Sequence, residues 1–85
     1  MKTLVFCVDD EAKKEAVHRF RLYHEDVVFF SEIKEAFDLI NSGERVTLIV
    51  IDLDMPEGTM FLEKVLAANL AKTAIATMSK DNKEQ

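Results

Sequence analysis

Four aspartates carry the chemistry this sequence offers. Asp9 and Asp10 follow the apolar run Leu4-Val5-Phe6-Cys7-Val8, and Asp52 and Asp54 follow a second run, Val46-Thr47-Leu48-Ile49-Val50-Ile51. Carboxylates are hard oxygen ligands and suit Mg²⁺, which typically binds through one or two of them and keeps water or phosphate in its other positions. A carboxylate can also attack phosphorus to give an aspartyl phosphate. A metal beside it would neutralise charge on the transferring group. Taken singly, Asp10 reads as a helix cap, and the other acids as loop residues facing water. As a set at the ends of two adjacent strands, Asp9, Asp10 and Asp52 read as a site. Three such carboxylates repel one another, so the cluster calls for a cation, a proton or strong hydrogen bonds.

Bringing these residues together requires a parallel sheet, and the apolar patterning predicts one. Residues 4–8 form a short run fit for a strand buried on both faces. Residues 11–23 place Ala12, Ala16, Phe20 and Tyr23 on one helical stripe, with Asp10 able to cap the start. Residues 27–30 are β-branched and aromatic. Ser31 then caps a helix carrying Ile33, Ala36, Phe37 and Ile40 on one face, ended by Gly43. Residues 46–51 are the strongest strand. Pro56 and Gly58 mark a loop, and Gly58 or Thr59 opens a third helix with Phe61, Leu62, Val65, Leu66 and Leu70 apolar. Residues 73–78 form a fourth, weaker strand. The pattern is βαβαβαβ, an α/β chain whose doubly wound parallel sheet is covered on both faces. In such sheets the first and third strands are neighbours, and ligands sit beyond the carboxyl ends of the strands.

The bulk properties narrow the setting. With 85 residues the chain is one domain at most, and at this size it buries only about 60–65% of its extended surface. Its 48% hydrophobic and 32% charged content is globular, and the net charge of −5 argues against nucleic-acid or anionic-membrane binding. The one cysteine, Cys7, cannot form an internal disulfide, which suggests a reducing compartment. It reads as a small buried hydrophobe. No apolar stretch approaches the roughly 18–20 residues of a membrane span, and no signal peptide is visible, so a cytoplasmic location is expected. His18 and His24 read as surface histidines, and Met55, Met60 and Met78 as core or rim packing.

The segments Val8-Asp9-Asp10-Glu11 and Leu48-Ile49-Val50-Ile51-Asp52-Leu53-Asp54-Met55-Pro56 resemble the two signature motifs of response-regulator receiver domains. The resemblance implies a flavodoxin-like fold with strand order 2-1-3-4. It also implies a role in two-component phosphorelay signalling rather than enzymatic turnover. In its terms Asp9 and Asp10 bind Mg²⁺, Asp52 is the phosphoacceptor and a further metal ligand, and Asp54 offers its backbone carbonyl to the metal. Ser79, or less well Thr77, supplies the hydroxyl that bonds the phosphoryl oxygen. The implied partner is a histidine kinase or phosphotransfer protein.

The sequence departs from that family in three places. The loop after Pro56 is shortened to Glu57-Gly58-Thr59. A complete receiver continues through another strand and two helices, so residues 1–79 read as a truncated receiver domain and residues 80–85 as a polar tail. The family's fifth-strand lysine then has no counterpart, since Lys80 stands beside Ser79 in the wrong place. The output face of the family is missing as well. An unpaired fourth strand would expose its backbone edge, and a homodimer through that edge is expected. Two other functions compete. One is a degenerate receiver serving only as a binding or dimerisation module. The other is a haloacid-dehalogenase-like phosphatase fragment, because Asp52-Leu53-Asp54 resembles that family's Asp-x-Asp motif. That family carries its motif on the first strand and needs a longer chain.

Overall fold

The computed structural model describes residues 2–23 and 26–79. Its elements run β1 (Lys2–Phe6), α1 (Asp10–Phe20), β2 (Asp26–Phe30), α2 (Ile33–Ile40), β3 (Val46–Asp52), α3 (Gly58–Ala68) and β4 (Ala74–Met78). The strands form one parallel sheet in the order β2-β1-β3-β4. The chain moves one way from β1 to β2 and the other way through β3 and β4. Right-handed crossovers then require α1 on one face and α2 and α3 on the other.

Strand alternation divides the core accordingly. Leu4, Phe6, Ile49 and Ile51 point to one face, where Ala36 of α2 and Phe61 and Val65 of α3 cover them. Val5, Cys7 and Val50 point to the other, against Ala12 and Ala16 of α1, with Leu22 and Met78 alongside. Phe61 is the centre of the first cluster. Its ring lies 4.2 Å from that of Phe6 and meets Phe37 edge-on at 5.7 Å, favourable arrangements for aromatic pairs.

Several helix ends differ from the sequence reading, each for a local reason. Asp9, not Asp10, caps α1: its carboxylate accepts the Ala12 N–H at 3.1 Å, because a cap side chain must lie just outside the first helical residue. The helix stops at Phe20, where Arg21 turns left-handed at φ 56° and its N–H bonds the Val17 carbonyl. Tyr23 therefore leaves the apolar stripe and is exposed. Glu32 rather than Ser31 stands at the N-cap of α2, without a side-chain cap bond, and Asn41 at its C-cap. Gly43, at φ 95°, serves the turn beyond. Met55 and Met78 are buried as expected, but Met60 is half exposed because it lies one residue off the Phe61–Val65 stripe. Thr73 precedes β4 and donates its hydroxyl to the Val46 carbonyl at 2.7 Å. Among the described residues no helix is long and apolar enough to cross a membrane. His24 and the tail from Lys80 to Gln85 lie outside the described residues.

Candidate functional site

The sheet register brings the candidate residues to one end of the molecule. Phe6 pairs with Ile51, so Cys7 continues level with Asp52. On the other side Asp52 pairs with Met78. Beyond these three strand ends lie Val8-Asp9-Asp10 after β1, the 53–57 loop after β3 and Ser79 after β4. This is the place where the winding reverses direction, the usual position of a binding crevice in an open α/β sheet.

Asp52 is the central group. It lies on the α1 face, in alternation with Val50, and only 6% of it is exposed. Ionised carboxylates are rarely buried this far without a partner, because desolvation is costly. Its Oδ1 accepts the Asp54 N–H at 3.0 Å, an Asx turn that bends the chain straight after the strand. Among the described residues no lysine, arginine or histidine forms an ion pair with it. The loop that follows is tightly tied. Leu53 N–H donates to the Met78 carbonyl at 2.9 Å and Gly58 N–H to the Met55 carbonyl at 3.0 Å. Gly58 comes so close that a Cβ there would stand 2.2 Å from the Asp52 carbonyl oxygen. A residue with a side chain would push α3 away from the strand end, so glycine at this position lets the loop close under Asp52.

The other acids are placed differently. Asp9 is exposed, with its carboxylate on the α1 N-terminus. Asp10, in the first turn of α1, has its side chain 91% exposed, with Lys13 Nζ at 3.9 Å. Acids here suit the positive end of the helix dipole. Asp54 is exposed and accepts a hydrogen bond from Ser79 Oγ at 3.3 Å. Thr77 pairs with Ile51 inside the sheet and alternates with Met78, so it faces away from Asp52. Thus Ser79, not Thr77, reaches the loop. Among the described residues no three Asp, Glu, His or Cys side chains are gathered closely enough to hold a metal ion. The donor set nonetheless suits Mg²⁺ in kind. It consists of hard oxygens at adjacent strand ends, and the exposed Asp10 side chain can rotate without disturbing the core. Mg²⁺ needs only one or two carboxylates, since it keeps several waters.

Two residues were not assigned to the site from the sequence. Cys7 is buried beside the site, and its thiol is pushed up to about 11, first by burial and then by the negative charge of Asp52. Its position one residue past the Phe6–Ile51 pair is visible only once the register is known. Lys13 is the cation nearest Asp10 in the structure's ion pairs, and the i, i+3 spacing of Asp10 and Lys13 was a readable signal.

No protein-family model matches this chain, and no curated protein or solved structure matches it either.

Proposed function

We propose that this chain is a flavodoxin-like, receiver-type phosphoacceptor domain, with Asp52 as the residue that takes the phosphoryl group. The supporting observation is the buried Asp52 carboxylate at the end of β3, flanked by Asp9-Asp10 beyond β1 and Ser79 beyond β4. An Asp52 oxygen would form the new P–O bond as the phosphoryl group leaves a phosphohistidine or a small acyl phosphate, giving a mixed anhydride. The Asp54 N–H holds the carboxylate in one rotation, so little orientation remains to be found at the moment of attack. Asp9, Asp10, Asp52 and the Asp54 carbonyl would hold Mg²⁺, whose charge offsets that of the phosphoryl oxygens. Ser79 would leave Asp54 to donate its hydroxyl to the bound phosphoryl group. The donor would be a histidine kinase or phosphotransfer protein in the cytoplasm.

Incubation with acetyl phosphate and Mg²⁺, followed by intact mass measurement, tests this reading. One added phosphoryl group on the native chain and none on Asp52→Asn is the expected result. An unmodified native chain would move the function to the second reading, an assembly module without phosphoryl chemistry. The observation favouring that reading is β4, which is paired only with β3 among the described residues. We propose that β4 pairs with the β4 of a second copy about a twofold axis. Sedimentation at micromolar concentration should then show a dimer, and a monomer would count against the pairing.

A further inference from the structure

The opposite edge of the sheet carries a different kind of surface. Strand β2 runs between two grooves. On the α1 side, a groove of about 320 Å³ is lined by Lys13, Lys14, Val17, His18, Tyr23 and Phe29. Two of its lining residues are exposed aromatics, Phe29 at 37% and Tyr23 at 62%. Its rim is cationic, and Lys13 Nζ stands 5.5 Å from the centre of the Phe29 ring. On the α2 side, a groove of about 490 Å³ has Val28, Phe30 and Leu39 as its apolar lining and Glu35 and Asp38 as its acids. Lys2, at one end of that groove, is already paired with Asp26 at 2.7 Å.

The backbone between the grooves is available for pairing. Cys7 N–H donates to the Phe30 carbonyl at 2.9 Å, so Phe30 turns its polar groups toward β1. The alternation of the strand then turns the N–H and C=O of Val27 and Phe29 to the outer edge. Among the described residues no other strand pairs there.

The geometry points to β2 as a docking edge for an extended segment of a partner protein. That segment is apolar and acidic on the face it turns to α1, and apolar and basic on the face it turns to α2. Successive residues of an added strand point to opposite sides, so one strand fills both grooves while its main chain bonds to Val27 and Phe29. The charge pattern selects the occupant. Lys13 is shared with Asp10 at 3.9 Å and Asp38 with Lys34 at 3.3 Å. The pattern therefore rests on Lys14 on the α1 side and Glu35 across the strand, which form no ion pair among the described residues, in a chain of net charge −5. A second copy fits poorly, because Asp26-Val27-Val28-Phe29-Phe30 has one acid and no basic residue to offer the α2 groove. This inference does not depend on phosphoryl transfer at Asp52.

A short fluorescent peptide with leucine and glutamate at odd positions, and valine and lysine at even positions, tests it. The control has the same composition, with both charge types placed on one face. Fluorescence anisotropy should show the alternating peptide binding at least about tenfold more tightly than the control. Lys14→Glu, a change on the exposed side of α1, should weaken that binding by about tenfold. Amide spectra should show the largest shifts, and slowed hydrogen exchange, at Val27 and Phe29. Equal binding of the two peptides, no binding at millimolar peptide, or shifts centred on β4 would each overturn the proposal. So would protection of Val27 and Phe29 by self-association before any peptide is added.

Discussion

Gly58→Ala examines the packing that seats the candidate site. The added methyl would lie 2.2 Å from the Asp52 carbonyl oxygen, 3.0 Å from the Leu53 Cα and 3.1 Å from the Asp52 carbonyl carbon. All three are backbone atoms, so no flexible side chain can swing aside. Relieving the closest contact requires α3 and the end of β3 to separate by about 1 Å, and β3 is held on both sides by β1 and β4. Overpacking of this kind costs about 1–3 kcal/mol. The better helix propensity of alanine, about 1 kcal/mol in a helix interior, offsets only part of that at a first-turn position. A net loss of about 1–2 kcal/mol follows, which in a domain of this size lowers Tm by about 4–16 °C. Thermal and urea unfolding followed by circular dichroism measure it. Thr59→Ala is the control, because Thr59 is the exposed next residue and should change stability by less than about 0.5 kcal/mol. If Gly58→Ala melts at or above the native temperature, the close approach of α3 to Asp52 is not what this glycine serves. If Asp52 is the phosphoacceptor proposed above, the folded fraction of the variant should also be modified by acetyl phosphate more slowly, because the Asp52 carboxylate has moved.

Two further outcomes follow from the electrostatics. Cys7 titrates at about 11 because of burial first and Asp52 second, so Asp52→Asn should lower that midpoint while burial keeps it above the ordinary 9.0. The chain has one cysteine, and because it is buried the pH dependence of its Cβ chemical shift reads the midpoint without reagent access; an unchanged midpoint would place the Asp52 charge farther away. The Lys2–Asp26 pair gives a pH signature. Asp26 is lowered from 3.8 by its hydrogen bond from Lys2, so its contribution is present above that value and lost as pH falls through the lowered folded pKa. Lys2 is raised from 10.5 by the same bond, so its contribution is present below that value and lost as pH rises through the raised folded pKa. Lys2→Met should therefore flatten the stability profile at both extremes and leave its plateau nearly unchanged, since exposed pairs are weak. Identical profiles for Lys2→Met and the native chain would show that the pair contributes nothing.

Much of this architecture was legible in local pattern. The apolar runs at residues 4–8 and 46–51 announced two strands, although the first runs Lys2–Phe6 and leaves Val8 exposed beyond its end, and the charged segments between strands carried helical stripes. Asp52 could be placed at the end of the third strand, because the change from Ile51 to a carboxylate is abrupt. Helix termini were read less well. Asp9 and Asp10 are adjacent acids, and either can cap. Their backbone angles decide which does, and Asp9 is extended at φ −78°, ψ 132°. Tyr23 fits the helical period but follows the left-handed Arg21, a break that composition does not announce.

The residues themselves determined that this chain would alternate strand and helix, and that carboxylates would follow two of its strands. Those features depend on neighbours within a few positions, where periodicity is set. Only the tertiary structure decided that Cys7 and Met78 stand level with Asp52, that Ser79 rather than Thr77 meets the 53–57 loop, and that Gly58 touches the Asp52 carbonyl. It also decided that one Asp9 oxygen caps α1 while Asp10 faces water. These are matters of register and close packing between segments far apart in the chain. A shift of one residue reverses which face a side chain points to, so they follow from how the whole core closes and not from any one stretch of sequence.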